Sequence, residues 1–188
     1  ISRMKVRAMR SKVDAVMVGV NTAALDDPLL LAAGGRARQP VRIIVDARLS
    51  TPLSSRIFSS AAASPVMVAT GPLAPRRKVE TLMKRGVNIV GCRTSGGRIN
   101  MKDLFRKLRL IGIVHVLAEG GGELAASLIK DKLVDRLLFF IAPKIIGGRS
   151  AVTSVEGAGV LKAADALGLR FLNITRSGPD IVIEAEVV

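Results

Sequence analysis

The chain has 188 residues, 49% of them hydrophobic, and 18 glycines, a composition that suits a single α/β domain with a core of its own. Basic residues outnumber acidic ones 29 to 15, and the resulting formal charge of +14 favours an anionic ligand or surface as partner. The exclusions are as useful: with no Trp, no Tyr and five Phe there is little to stack bases on, a lone Cys92 excludes an internal disulfide and, with the single His115, cannot build a Cys/His zinc site, and no apolar run approaches the about 18 residues of a membrane span.

Residues 3–12 read as a short basic helix with Met4, Val6 and Met9 as its apolar positions, and residues 15–20 as the first clear strand. Gly19, Asn21 and Thr22 then open a helical stretch in which Thr22 is placed to cap exposed N–H groups, and Asp26-Asp27-Pro28 closes it. Because adjacent side chains rarely point the same way, Asp26 is the functional candidate and Asp27 the structural one. A polar, basic loop over 34–39 precedes a strand over 41–46. Strands at 66–70, 87–91 and 113–118 follow, separated by helices at 75–85 and 101–110, and this alternation predicts a mostly parallel sheet with helices on both faces. Beyond a further helix the pattern changes. A strand over 136–142 and two more at 170–175 and 181–188, joined by Ser177-Gly178-Pro179-Asp180, predict an antiparallel C-terminal hairpin that makes the sheet mixed. No linker or repeat divides the chain, so residues 1–188 are expected to be one domain.

The chain is organised around residues 113–130, where a β-branched run meets Gly120, Gly121 and Gly122 and continues into a helix with Leu124, Leu128 and Ile129 on one face. Such a junction is either a tight turn or a phosphate cradle, in which side-chain-free backbone N–H groups meet the positive end of a helix dipole. Glu119, the last residue before the glycines, points into the crevice at the carboxyl end of the sheet. Thr22 with Asp26, Asp46 with Arg48, Thr70, and Arg93, Thr94 and Ser95 occupy equivalent turns. That set suits a nucleotide. The GxGxxG fingerprint with its ribose-binding acid is missing, while hydroxyls and guanidiniums are present, which favours a 2′-phosphate and hence NADP over NAD. Hydrolytic machinery is missing: Ser127 lies inside a helix, and His115 alternates with apolar neighbours as a core histidine would.

Five motifs in order carry a resemblance: Asp14-Ala15 through Gly19, Thr22-Ala23-Ala24-Leu25-Asp26-Asp27-Pro28, Arg42-Ile43-Ile44-Val45-Asp46, Ala118-Glu119-Gly120-Gly121-Gly122, and Ala142-Pro143-Lys144-Ile145-Ile146-Gly147-Gly148. Together they resemble the reductase of riboflavin biosynthesis, found as the C-terminal half of the bifunctional deaminase/reductase and as stand-alone archaeal and fungal pyrimidine reductases. The resemblance implies a dihydrofolate-reductase-like fold, a homodimer, and NADPH-dependent reduction of a ribosylaminopyrimidine 5′-phosphate to its ribitylamino product, the 2-amino and 2-oxo pyrimidines remaining open; the lone cysteine makes a cytoplasmic location the expectation. It also implies Thr22 and Asp26 as cofactor contacts, residues 121–127 (among them Gly122, Glu123 and Leu124) as the pyrophosphate loop and helix start, and Leu30 and Glu119 as substrate contacts. Arg48, Thr70 and Gly120 join the cofactor set from their positions in the turns.

Departures from the family pattern are specific. Leu31 and Ala33 replace a Thr and an Arg, leaving Arg36 or Arg38 to take over a phosphate contact, and Ala47 replaces a Ser. The family's opening strand, with its SxDGK-like motif, has no counterpart ahead of Ile1, so the chain reads as a fragment whose N-terminus lies upstream. The competing expectations are a dihydrofolate-type reductase of another substrate and an inactive nucleotide-binding module.

Overall fold

Strands that are apolar on both faces must be covered on both, and the segments AVMVG, VRIIV and VMVAT leave few other solutions. In a computed structural model, which describes residues 2–34, 39–62, 64–148 and 151–188, these segments are the centre of a parallel sheet. The elements run α1 (Ser2–Arg10), β1 (Ala15–Gly19), α2 (Val20–Leu25), β2 (Val41–Val45), α3 (Arg56–Ser59), β3 (Val66–Thr70), α4 (Arg76–Lys84), β4 (Asn88–Gly91), β5 (Thr94–Ser95), β6 (Arg98–Ile99), α5 (Met101–Leu110), β7 (Val116–Ala118), α6 (Gly122–Lys130), β8 (Arg136–Ile141), a 3-10 turn (Ala163–Asp165), β9 (Leu169–Ser177) and β10 (Asp180–Val187).

The parallel sheet has the order β4-β3-β2-β1-β7, with Met17 opposite both Ile43 and Ala118. One face packs Leu104 and Leu108 of α5 and Leu124 and Leu128 of α6 against Met17, Ile43 and Met67. On the opposite face, Ala23 of α2, Ile57 and Phe58 of α3 and Leu82 of α4 pack against Val16, Val18, Ile44 and Val68. All five carboxyl ends therefore lie along one edge. The expected α/β architecture, with its antiparallel C-terminal hairpin, is present. Hydrogen bonding divides it: the hairpin β9–β10 pairs with β8 in a three-stranded sheet of its own, order β8-β10-β9.

Four local differences have local causes. The expected strand over 113–118 is regular only from Val116, because the Val114 and His115 N–H groups are drawn to Asp14 Oδ2, at 3.1 and 2.9 Å, instead of to a neighbouring strand. His115 is no core histidine; its side chain is 79% exposed, with Nδ1 3.7 Å from Asp14 Oδ2. Val20 already belongs to α2. Finally, Ser95-Gly96-Gly97-Arg98 makes an unforeseen hairpin between β5 and β6, with φ of +58° and +75° at the glycines, the conformation a two-residue turn of this twist demands.

Candidate functional site

The glycine turn has the conformation a phosphate cradle needs. Gly120 and Gly121 have φ of +62° and +80°, values an L side chain rarely adopts, and Gly121 is the N-cap of α6 with no side-chain cap bond among the described residues. Thr22 faces this turn across the crevice: a Cβ on Gly121 would stand 3.1 Å from the Thr22 hydroxyl. Thr22 therefore does not cap its own helix, as its position in the sequence suggests; Gly19 is the N-cap of α2, without a side-chain bond, and Thr22 lies inside the helix. Asp26 ends α2 in the open, its N–H bonded to the Thr22 carbonyl at 3.0 Å, while Asp27 accepts from the Arg56 N–H at 2.8 Å and holds α3.

Residues 153–157 lie over the start of α6, which no reading of the sequence anticipated. Glu156 N–H donates to the Gly122 carbonyl at 3.1 Å, and a Cβ on Gly122 would meet Glu156 Cγ at 2.6 Å and the Thr153 carbonyl at 2.8 Å. A Cβ on Gly157 would likewise meet Ala126 Cβ at 2.9 Å. Gly122 and Gly157 are thus glycines of close approach, and the third residue of the triplet serves packing where the first two serve the turn.

Glu119 is paired. Arg10, the last residue of α1, donates from Nε and Nη2 to the two carboxylate oxygens at 2.7 and 2.6 Å, and its Nη1 donates to the Leu31 carbonyl at 3.0 Å. The side chains are only 15% and 17% exposed, so the bidentate pair is largely shielded from water and its attraction is less screened than that of a surface ion pair. Arg10 was invisible beforehand because nothing in its helix distinguishes it from the other basic residues; the pairing joins positions 109 apart in sequence.

A second group forms where the turns after β2, β3 and β4 meet. Gly71 N–H donates to the Ala47 carbonyl at 2.9 Å, and a Cβ on Gly71 would lie 2.6 Å from the Thr94 methyl. Arg48, Arg93, Thr94 and Ser95 are exposed on this rim, whereas Thr70 is 3% exposed and Asp46 is consumed by its own turn, accepting from the Thr51 N–H and hydroxyl at 2.7 Å each. The rim is braced from behind by Asp103, which accepts from Lys107 at 2.8 Å and from the Arg93 N–H at 3.0 Å; the Lys107 ammonium first, then the Arg93 N–H, hold its carboxyl well below the usual range.

Other expected contacts are constrained by burial. Leu30 and Leu124 are 3% and 6% exposed, so their side chains are packed in the core rather than presented to a ligand. Glu123 carries an ion pair to Arg98 at 2.5 Å. Arg36, like Arg38, lies outside the described residues. Burial pushes the Cys92 thiol up, away from nucleophilic use. Among the described residues no His, Cys, Asp and Glu cluster has the makings of a metal site, and no helix is long and apolar enough to cross a membrane.

Residues 2–183 match the profile of the RibD C-terminal domain. The chain is 33% identical to the riboflavin biosynthesis protein RibD of Actinobacillus pleuropneumoniae over all of its own length and 50% of the relative's, so it spans about half of that protein. It is 36% identical to the 2,5-diamino-6-ribosylamino-4(3H)-pyrimidinone 5′-phosphate reductase of Methanothermobacter thermautotrophicus, covering 97% of this chain and 84% of that one. Among solved structures, Acinetobacter baumannii RibD superposes with a TM-score of 0.83 at 25% identity, over 100% of this chain and 50% of that chain. With a family profile matched over nearly its whole length and a relative 36% identical over 97% of it, the chain belongs to the RibD C-terminal domain family.

Proposed function

We propose that residues 1–188 act as a single cytoplasmic reductase domain that uses NADPH to reduce a ribosylaminopyrimidine 5′-phosphate to the ribitylaminopyrimidine 5′-phosphate. The observation that carries this reading is the juxtaposition of the uncapped glycine turn, faced by Thr22, with the Arg10–Glu119 pair immediately before it. The residues fit the cofactor: backbone N–H groups of Gly121, Gly122 and Glu123 suit a pyrophosphate, Thr22 and Asp26 line the facing wall, and Arg48 stands on the rim where a 2′-phosphate would be neutralised. NADPH, when bound, supplies the hydride. Glu119, oriented by Arg10, accepts hydrogen bonds from the amino and ring N–H groups of the pyrimidine. The loop that carries Leu30 closes the substrate side, so the chain contributes positioning and water exclusion more than side-chain chemistry.

The direct test offers the pyrimidine phosphate, in 2-amino and 2-oxo forms, and dihydrofolate in parallel, following loss of nicotinamide absorbance. Oxidation with the pyrimidine alone is expected. Turnover of dihydrofolate alone, or NADPH binding without turnover of either, overturns the assignment in favour of another reductase or an inactive binding module.

Two further expectations arise here. NADPH should bind more tightly than NADH by about 1.5 kcal/mol, the lower end for a charge-assisted contact because Arg48 is exposed and screened. Arg48→Ala should remove most of that difference, and equal affinities in the unaltered protein would exclude a 2′-phosphate site. The second concerns assembly. Phe171, Ile174 and Ile141 are 62%, 58% and 49% exposed on the three-stranded sheet, and an apolar sheet of this kind is stabilised by a partner. A homodimer is expected by light scattering at micromolar concentration, and a monomer there would count against it.

A further inference from the structure

The β2 strand carries one charged side chain into the core, and among the described residues it has no carboxylate partner. Arg42 is fully buried on the face that packs against α2, α3 and α4, between positions occupied by Val41 and Ile43 on the other face. Burial lowers its pKa to about 10, and among the described residues no acidic group pairs with it. Its charge is met by carbonyl dipoles instead. Nη1 donates to the Leu29 carbonyl at 3.0 Å and to the Ser60 hydroxyl at 2.7 Å, while Nη2 donates to the Ser60 and Ser64 carbonyls at 2.9 and 2.5 Å. Nε is buried without a partner among the described residues. An arrangement that leaves a cation without a counter-ion and one of its donors unused is a poor way to gain stability, since an apolar side chain of similar volume would avoid the desolvation cost.

What Arg42 does achieve is placement of the loop over 27–33. Leu30 in that loop has φ of +55°, a conformation that strains any non-glycine residue. It is held from both sides. Arg42 takes the Leu29 carbonyl from the core, and Arg10, already clasping Glu119, takes the Leu31 carbonyl from the crevice. Beyond it the Ala32 N–H donates to Gln39 Oε1 at 2.9 Å and the Ala33 N–H to the Arg7 carbonyl at 3.0 Å. Loss of the inner hold frees the Leu29–Leu30 peptide to relax out of the left-handed region, and the Leu31 carbonyl then no longer presents itself to Arg10.

We propose that Arg42 is a positioning residue for the substrate side of the crevice: from inside the core it fixes the Leu29 carbonyl, and through the Leu30 backbone it sets the Leu31–Arg10–Glu119 chain. The kinetic part rests on the function proposed above; the structural part does not. Three variants separate the two. Arg42→Met removes every hold, Arg42→Lys keeps the charge but not the fork that reaches both loops, and Ser60→Ala removes one acceptor while leaving the Leu29 contact intact. Hydrogen exchange at the Ala32 and Ala33 amides should accelerate in Arg42→Met, less in Arg42→Lys, and stay unchanged in Ser60→Ala. The KM for the pyrimidine phosphate should rise roughly tenfold in Arg42→Met and severalfold in Arg42→Lys, with kcat and NADPH affinity within about threefold of the unaltered protein. If Arg42→Met does not fold, Arg42→Lys decides alone. Unchanged exchange at Ala32 and Ala33 in a folded Arg42 variant, or a fall in kcat and NADPH affinity equal to the rise in KM, overturns the proposal and makes Arg42 a general packing residue. If the unaltered protein shows no pyrimidine reduction, the proposed function fails while the exchange measurement still decides whether Arg42 holds the loop.

Discussion

Gly121→Val is expected to abolish NADPH binding in a protein that still folds. The residue sits at φ +80° and ψ +100°, and moving a β-branched side chain there costs about 1–3 kcal/mol of backbone strain before any contact is considered. The added Cβ would also stand 3.1 Å from the Thr22 hydroxyl, closer than most real contacts, so α2 must give way or the turn must reopen. Either response moves the N–H groups at the start of α6 out of the alignment that a pyrophosphate requires. The core beneath is not touched: Leu124 and Leu128 remain packed on the sheet, and the strain is confined to the rim. Calorimetry with NADPH, alongside thermal unfolding, reads the two effects separately. Unchanged affinity in a folded variant would place the phosphate site elsewhere. Gly122→Val makes an instructive contrast, because there the added Cβ meets the Thr153 carbonyl at 2.8 Å, and the expected first effect is displacement of residues 153–157.

The second large effect is expected at Glu119 and Arg10. Glu119→Gln should leave NADPH affinity within about twofold while lowering kcat/KM for the pyrimidine phosphate tenfold or more, the ~1.4 kcal/mol of one good hydrogen bond. The jobs are separable because the glycines act through backbone and Glu119 through its carboxylate. Arg10→Met should do at least as much damage, since it leaves a carboxylate that is only 17% exposed without its counter-ion and also releases the Leu31 carbonyl. The double variant tests the mechanism. If the two residues act as a unit, Arg10→Met/Glu119→Gln loses much less than the sum of the single losses in kcat/KM. Additive losses would mean that Arg10 and Glu119 act on the substrate independently. Loss of NADPH affinity in Glu119→Gln would move the glutamate into the cofactor site.

Much of this protein was legible in the order of its residues, and the reasons are local. Strands β1 to β3 declare themselves because a strand covered on both faces is apolar at nearly every position, Arg42 and Thr70 excepted, and α5, expected over 101–110, has that full extent in the structure, where Asn100 caps it. The glycine turn was legible for the same kind of reason, since consecutive glycines between a strand and a helix leave a short list of possible backbones. That Asp27 is the structural member of its pair followed from the rule that neighbouring side chains diverge, but its partner, the Arg56 N–H at the start of α3, lies 29 residues away and was not legible. Misreadings arose where a residue's partner was distant. Thr22 has the chemistry of an N-cap, but the close packing of α2 against the glycine turn aims its hydroxyl across the crevice. His115 alternates with apolar residues, yet Asp14 captures the backbone ahead of β7 and leaves the imidazole in solvent.

Sequence by itself determined most of the elements, the parallel sense of the early strands, the family, and the turn on which the crevice is built, because each depends on periodicity, glycine placement or motif order within short stretches of chain; α3 and the β5–β6 hairpin escaped it. Tertiary structure alone decided which charges matter. Arg10 and Arg42 are indistinguishable in composition from the other basic residues, and only the packing of α1 beside β7 and of β2 beneath the loop over 27–33 makes one the partner of Glu119 and the other a buried cation held by carbonyls. The physical reason is that an ion pair or a buried donor is defined by its surroundings: the same guanidinium is solvated surface at one position and, once water is removed and acceptors are fixed around it, a determinant of backbone geometry at another.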